Sequence, residues 1–128
     1  MMNVKLAVPN AILFVLDPTN KAAVVPAYVP GEAAAASPSC VSVTTIADAD
    51  GKVTVRLCAP VDVVACAASV QVFDGTVETP GHVLAIVTSK FDLVLEIATP
   101  FSVTRVTVRV DDVQAPTEVS VNVNSAPI

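Results

Sequence analysis

The sequence has no tryptophan, one tyrosine, one histidine and four glycines in 128 residues. Each scarcity removes a class of function. With His82 as the single imidazole, any Ser-His-Asp or Cys-His arrangement would have to run through it. It stands beside Pro80-Gly81 at a predicted turn, where a solvated histidine is the ordinary occupant. Four glycines leave no phosphate-cradling loop. The basic residues number seven, and Lys21, Lys52, Arg56, Lys90, Arg105 and Arg109 stand singly in a chain of net charge −5. Nucleic acids and anionic membrane surfaces are bound by clustered cations, so neither is expected as a partner. No apolar run approaches the ~20 residues of a membrane-spanning helix.

Cysteine is also sparse. Cys40, Cys58 and Cys66 are odd in number and lack zinc spacing, which supports neither a disulfide framework nor a structural metal. No metal and no cofactor is expected, and a reducing, cytoplasmic setting fits best. At the N-terminus, residues 1–5 and 6–16 superficially follow the charged and apolar order of a secretion signal. Pro9-Asn10 interrupts the apolar stretch, the clean run 11–16 is six residues, and no small-residue cleavage site follows it directly.

What the chain has in surplus is valine and alanine. Apolar residues make up 53% and charged residues 15%, against about 45–50% and about 25% in ordinary domains. Residues 1–128 fit one domain, large enough to fold without a staple. The surplus suggests that a partner or a second copy covers part of it.

Short apolar runs punctuated by Pro, Gly and Asp predict strands. Val4, Leu6 and Val8 alternate with other residues, 11–16 is continuous, and Asp17-Pro18-Thr19-Asn20 is a turn. Residues 22–29 read as an edge strand weakened by Pro26. Residues 30–39 read as a loop whose alanines could form one helical turn. The clearest unit is a hairpin over 41–57, with Val41, Val43 and Thr45 facing the same side as Val53, Val55 and Leu57. Ala49-Asp50-Gly51 would be its loop. That register sets Cys40 and Cys58 diagonally opposite, marginal for a disulfide, and free thiols are expected.

Residues 61–73 are apolar without clear period, and Asp74-Gly75 makes a turn. Residues 83–87 and 93–98 read as buried strands split by Thr88-Ser89-Lys90. Val106, Val108 and Val110 form a half-exposed strand, with a bulge near Thr104 because Val103 is out of phase. Val119, Val121 and Val123 alternate with Ser120, Asn122 and Asn124. The expectation is an all-β, two-sheet antiparallel β-sandwich of about eight or nine short strands.

Candidate chemistry is thin. The acid pairs Asp48/Asp50, Asp111/Asp112 and Asp74/Glu78 fall in or beside turns, and Asp92/Glu96 would share the outer face of a strand. Solvated turn acids explain them better than acid–base catalysis does. The Asp48-Ala49-Asp50-Gly51 stretch lacks the downstream Glu of a calcium loop, since position 59 is Ala. No catalytic residue is assigned.

The second half carries a recognisable order. Val72-Phe73-Asp74-Gly75 comes first, then Pro80-Gly81 before a strand and Pro100-Phe101. Arg105-Val106-Thr107-Val108-Arg109-Val110-Asp111-Asp112 follows, and then Pro116-Thr117-Glu118-Val119. This resembles small bacterial β-sandwich proteins of the competence-protein-J type, which are similar to immunity proteins and include nuclease inhibitors. The resemblance implies a non-enzymatic inhibitor that occludes a partner protein. The composition also allows a self-associating structural protomer, a homo-oligomer built through Val-rich strands. The acidic turns at Asp48, Asp50, Asp74, Asp111 and Asp112 are the candidate partner-binding residues, because acidic surfaces steer basic partners.

Overall fold

Strands with valine at every second position need a cover for that face, and here two sheets cover each other. The structure is a computed structural model that describes residues 2–59 and 70–124. Among these are ten strands: β1 (Met2–Leu6), β2 (Ile12–Leu16), β3 (Ala34–Ser37), β4 (Cys40–Thr44), β5 (Val53–Cys58), β6 (Val70–Glu78), β7 (Val83–Thr88), β8 (Leu93–Ala98), β9 (Val103–Val110) and β10 (Glu118–Val123). Sheet A runs β1-β5-β10-β9-β6 and sheet B runs β3-β4-β2-β7-β8. The sandwich expected from the sequence is the fold observed, with ten strands among the described residues where about eight or nine were expected, and with β3 at an edge where a loop was expected. Every pairing is antiparallel except β5 with β10. The core between the sheets includes Leu13, Val15, Val41 and Val43 from sheet B, met by Val53, Val55, Leu57, Val106 and Val108 from sheet A.

The hairpin over 41–57 does not form. β4 pairs with β2 and β3, β5 pairs with β1 and β10, and the chain arches from sheet B to sheet A between them. The two valine trios do point at one core, but from opposite sheets. Alternation specifies which face is buried, and it is blind to whether the matching face lies alongside or across. Asp48–Asp50 forms a 3-10 turn in this arch, closed by Gly51 at φ 135°, a conformation open to glycine. The cysteine expectation changes with it. Cys40 is free and buried, its thiol pushed up to about 12 by burial, whereas Cys58 is disulfide-bonded. A disulfide at Cys58 is at odds with the reducing setting inferred from cysteine spacing. Cys66 and residues 61–69 lie outside the described residues.

Four local expectations are also corrected. Residues 22–29 form no strand; Val24 instead donates its N–H to Ser39 Oγ at 2.8 Å and accepts from Ser37 Oγ. Pro26 inside the segment and Pro30 just after it each lack the N–H a ladder needs. The alanines at 34–36 are extended, because pairing with β4 outweighs helix propensity in a segment bracketed by Gly31 and Pro38. Asp74-Gly75 lies inside β6, where Phe73 folds over Gly75; a Cβ there would approach the ring at 2.8 Å. The irregularity placed at Thr104 sits across the ladder, between Gln71 and Phe73. Thr104 itself takes a buried position in phase with Val106, and Val103 faces solvent. Thr104 Oγ1 is 2.8 Å from Thr79 Oγ1 and 2.9 Å from Thr99 Oγ1, so its hydroxyl is satisfied in the interior.

The two outer faces differ in chemistry. Sheet A carries Lys5, Arg56, Arg105 and Arg109 outward, four of the seven basic residues that look isolated in sequence. Arg56 pairs with Glu118 at 2.9 Å, and Arg105 forks onto Asp74 at 3.2 and 2.9 Å. Sheet B has an apolar outer face built from Phe14, Leu16, Cys40, Ala85 and Val87. Phe91 stacks on Phe14, ring centroids 5.9 Å apart, yet remains 60% exposed.

Candidate functional site

Antiparallel strands deliver alternate connections to the same end of a sandwich. Here residues 7–11, 45–52, 89–92 and 111–117 gather at one end. Cross-links lace them together: Thr45 N–H donates to Ala11 O at 2.9 Å, Ile46 N–H to Pro116 O at 3.0 Å, and Asn10 Nδ2 to Ser89 Oγ at 2.7 Å. Asn10 and Ala11 sit at φ 58° and 56°, a left-handed conformation costly for alanine and held here by bonds on both sides of its peptide.

This lacing brings together four of the five acids proposed from sequence. Asp48 and Asp50 lie on the sheet-crossing arch, Asp111 and Asp112 on the β9–β10 connection, and the Ile46–Pro116 bond ties the two. Glu32 and Asp92 join them. Among the described residues the loops of this end thus hold six acids, Glu32, Asp48, Asp50, Asp92, Asp111 and Asp112, against Lys52 and Lys90. Asp74 is not part of it. It lies on the outer face of sheet A, where Arg105, chiefly by its hydrogen bonds, holds the carboxyl below its ordinary value. Tyr28, which nothing in the periodicity marked, stands at this end with 66% of its surface exposed. Its isolation between Pro26 and Pro30, as the single tyrosine, is the sequence signal that could have found it.

Two clefts flank Tyr28. One, of about 240 Å³, is lined by Tyr28, Glu32, Thr44, Thr45, Gln114 and neighbouring backbone. The other, of about 260 Å³, lies against Asn10, Ala11 and Ile12 and shares Tyr28, Thr44 and Thr45. A third groove of about 250 Å³ runs along the apolar face of sheet B, between Phe91 and Val25.

The acids divide by role. Asp48 and Asp50 are exposed, while Asp112 accepts from Gln114 N–H at 2.9 Å. Asp111 organises its loop, accepting from Thr117 N–H and Glu118 N–H at 2.9 Å each and from the Thr117 hydroxyl. Burial raises the carboxyl of Asp111, but those hydrogen bonds together outweigh it and hold the pKa below the ordinary value. A lowered folded pKa gives stability that is complete above the unfolded value, about 3.9, and lost as pH falls through the folded one. Urea midpoints measured from neutral to acidic pH are therefore expected to fall more steeply for the native chain than for Asp111→Asn. Parallel curves would show that this loop does not feel the titration.

His82 is exposed in the β6–β7 turn at φ 58°, its N–H bonded to Thr79 O at 2.9 Å. Of the remaining acid pair, Asp92 lies in the turn before β8 and Glu96 on the strand. Among the described residues no three His, Cys, Asp or Glu side chains gather to hold a metal, and no helix is long and apolar enough to cross a membrane.

No protein-family model matches the sequence, and no curated protein matches it significantly. Among solved structures the fold is similar to that of ComJ from Bacillus subtilis, an inhibitor of the DNA-degrading activity of NucA. The TM-score is 0.70 over 98% of this chain and 96% of that one, at 12% sequence identity. The likeness first suggested by turn and strand order in the second half thus extends over nearly the whole fold.

Proposed function

We propose that this chain is a non-enzymatic, inhibitor-type protein-binding module that sets its acidic end against a basic surface of a partner protein. The observation that carries the proposal is the convergence of Asp48, Asp50, Asp111 and Asp112 from two loops bonded at Ile46–Pro116. The fold likeness to ComJ supports an inhibitor role and makes a DNA-degrading enzyme the partner class to test first. A surface that holds DNA phosphates is cationic, so an acidic end would compete for it by charge and by bulk.

Asp48→Asn, Asp50→Asn and Asp112→Asn together remove three charges while keeping the acceptor that Gln114 uses. The partner would be isolated on the immobilised chain at low salt from the cells that express it. Its association rate is expected to drop about tenfold in the triple variant, with a shallower salt dependence. An unchanged rate and salt slope would rule the acidic end out as the contact.

A second reading has its own observation. Val24, Val25, Phe91 and Leu93 are exposed around the apolar face of sheet B, a surface suited to a second copy. Molar mass by light scattering distinguishes them: a monomer across concentrations favours the partner reading, and a discrete oligomer abolished by Phe91→Ser favours self-association.

A further inference from the structure

The geometry points to the cleft beside Tyr28 and Glu32 as a receptor for one guanidinium group, an arginine side chain of the partner. This rests on the proposed docking of the acidic end and names what that end would hold. Its basis is the hydrogen-bond inventory of the lining rather than the acidic charge alone.

The lining presents a carboxylate and two hydroxyl acceptors. Glu32 contributes a carboxylate that can only accept when ionised. The Thr44 hydroxyl donates its hydrogen to Ala33 O at 3.2 Å and the Thr45 hydroxyl to Ile46 O at 2.9 Å, so each meets a ligand with lone pairs. Four of the nearby backbone donors are spent as well, while those of Gly31 and Val113 have no bond among the described residues. Glu32 N–H goes to Val29 O, Thr44 N–H to Ala33 O, Thr45 N–H to Ala11 O and Gln114 N–H to Asp112. Pro116 has none to offer. The Gln114 amide and the Tyr28 hydroxyl can still donate, but the one charged group of the lining is the Glu32 carboxylate, which favours a cationic ligand with many donors.

Guanidinium is the side-chain group with five donors and no acceptor, and its plane stacks on an aromatic face. Tyr28 supplies that face, exposed and walled on its other side by the second cleft. The volume of about 240 Å³ falls below the roughly 300–1,000 Å³ of small-molecule sites and suits a single long side chain. Charge complementarity agrees: no lysine or arginine lines the cleft, and Asp111 and Asp112 immediately precede its Val113–Gln114 wall.

The test is an NMR titration of the full chain with N-acetyl-arginine amide, with N-acetyl-citrulline amide as the neutral isostere. Saturable shifts are expected at the amides of Glu32, Thr44, Thr45 and Gln114 with the arginine compound. Citrulline, Tyr28→Ala and Glu32→Gln should each weaken binding by about fivefold or more, while Tyr28→Phe keeps it, because stacking needs the ring and not the hydroxyl. Tyr28 is exposed enough for its replacement to leave the fold intact, which a thermal melt would confirm. Equal shifts with citrulline, or no saturable shift at these amides, would overturn the assignment. Because the titration needs no partner, capture of the partner by a chain that ignores arginine would sink the cleft and spare the docking proposal. A chain that binds arginine but loses no association rate in the triple charge variant would do the reverse.

Discussion

Replacing Asp17 with alanine is expected to cost about 3 kcal/mol of folding stability, a large share of what a domain of this size has. Asp17 is fully buried at the end of β2. Its Oδ1 accepts from Thr19 N–H at 2.8 Å and from the Thr19 hydroxyl at 2.7 Å, and its Oδ2 from Gly81 N–H at 2.6 Å. Hydrogen bonds to an ionised acceptor contribute about 1.5–3 kcal/mol each, but Thr19 is exposed and its donors can return to water. Gly81 N–H is 64 residues away in sequence, so the carboxylate pins the start of the 17–33 connection to the β6–β7 turn. That turn is packed tightly: a Cβ on Gly81 would fall 1.8 Å from Thr19 Oγ1. Urea unfolding of Asp17→Ala and Asp17→Asn provides the check. The asparagine, which keeps an acceptor and the shape, should lose about half as much. A loss below about 1 kcal/mol for alanine would mean that water replaces the carboxylate without penalty.

The second large effect separates two residues that look alike in sequence. Ile86 on β7 and Leu93 on β8 both belong to apolar runs, yet Ile86 is 0% exposed in the core and Leu93 is 55% exposed. Ile86→Ala leaves a cavity between the sheets and should cost about 3–4 kcal/mol. Leu93→Ala removes surface already in water and should stay within about 0.5 kcal/mol. Comparable losses at both sites would mean that the outer face of sheet B is as well packed as the core, contrary to the asymmetry described.

These residues also show what the chain reveals before it folds. Val106, Val108 and Val110, and Val119, Val121 and Val123, announce their strands and buried face directly, because a two-residue period has one interpretation on a half-buried sheet. Partnership is different. Val41–Val43 and Val53–Leu57 carry the same pattern whether they pair edge to edge or face each other across a core, and the observed crossing between sheets follows from tertiary packing. The alanines of β3 and the valines at 24 and 25 exchanged their expected roles for the same reason: a neighbouring strand or flanking prolines outweighed local preference.

The site was legible only in its parts. Turn acids at 48, 50, 111 and 112 could be singled out by charge and exposure, but their common location depends on two hydrogen-bonded loops 70 residues apart (Ile46 to Pro116). Asp74 groups with them in sequence through its Asp-Gly step, which usually means a turn. Pairing with Thr107 and Val106 of β9 instead keeps that pair extended within β6. The gathering of four cations on sheet A and the exposure of Tyr28 were invisible for a similar reason. Both are products of register and loop path rather than of any run of residues.

Hydrogen exchange of the chain, free and bound to its partner, tests the central claim most directly. The account predicts new protection confined to residues 28–33, 45–52 and 111–117, the loops that carry Tyr28, Glu32 and the four converging acids. Protection centred on 83–98, the apolar flank of sheet B, with the acidic loops exchanging as in the free chain, would contradict it.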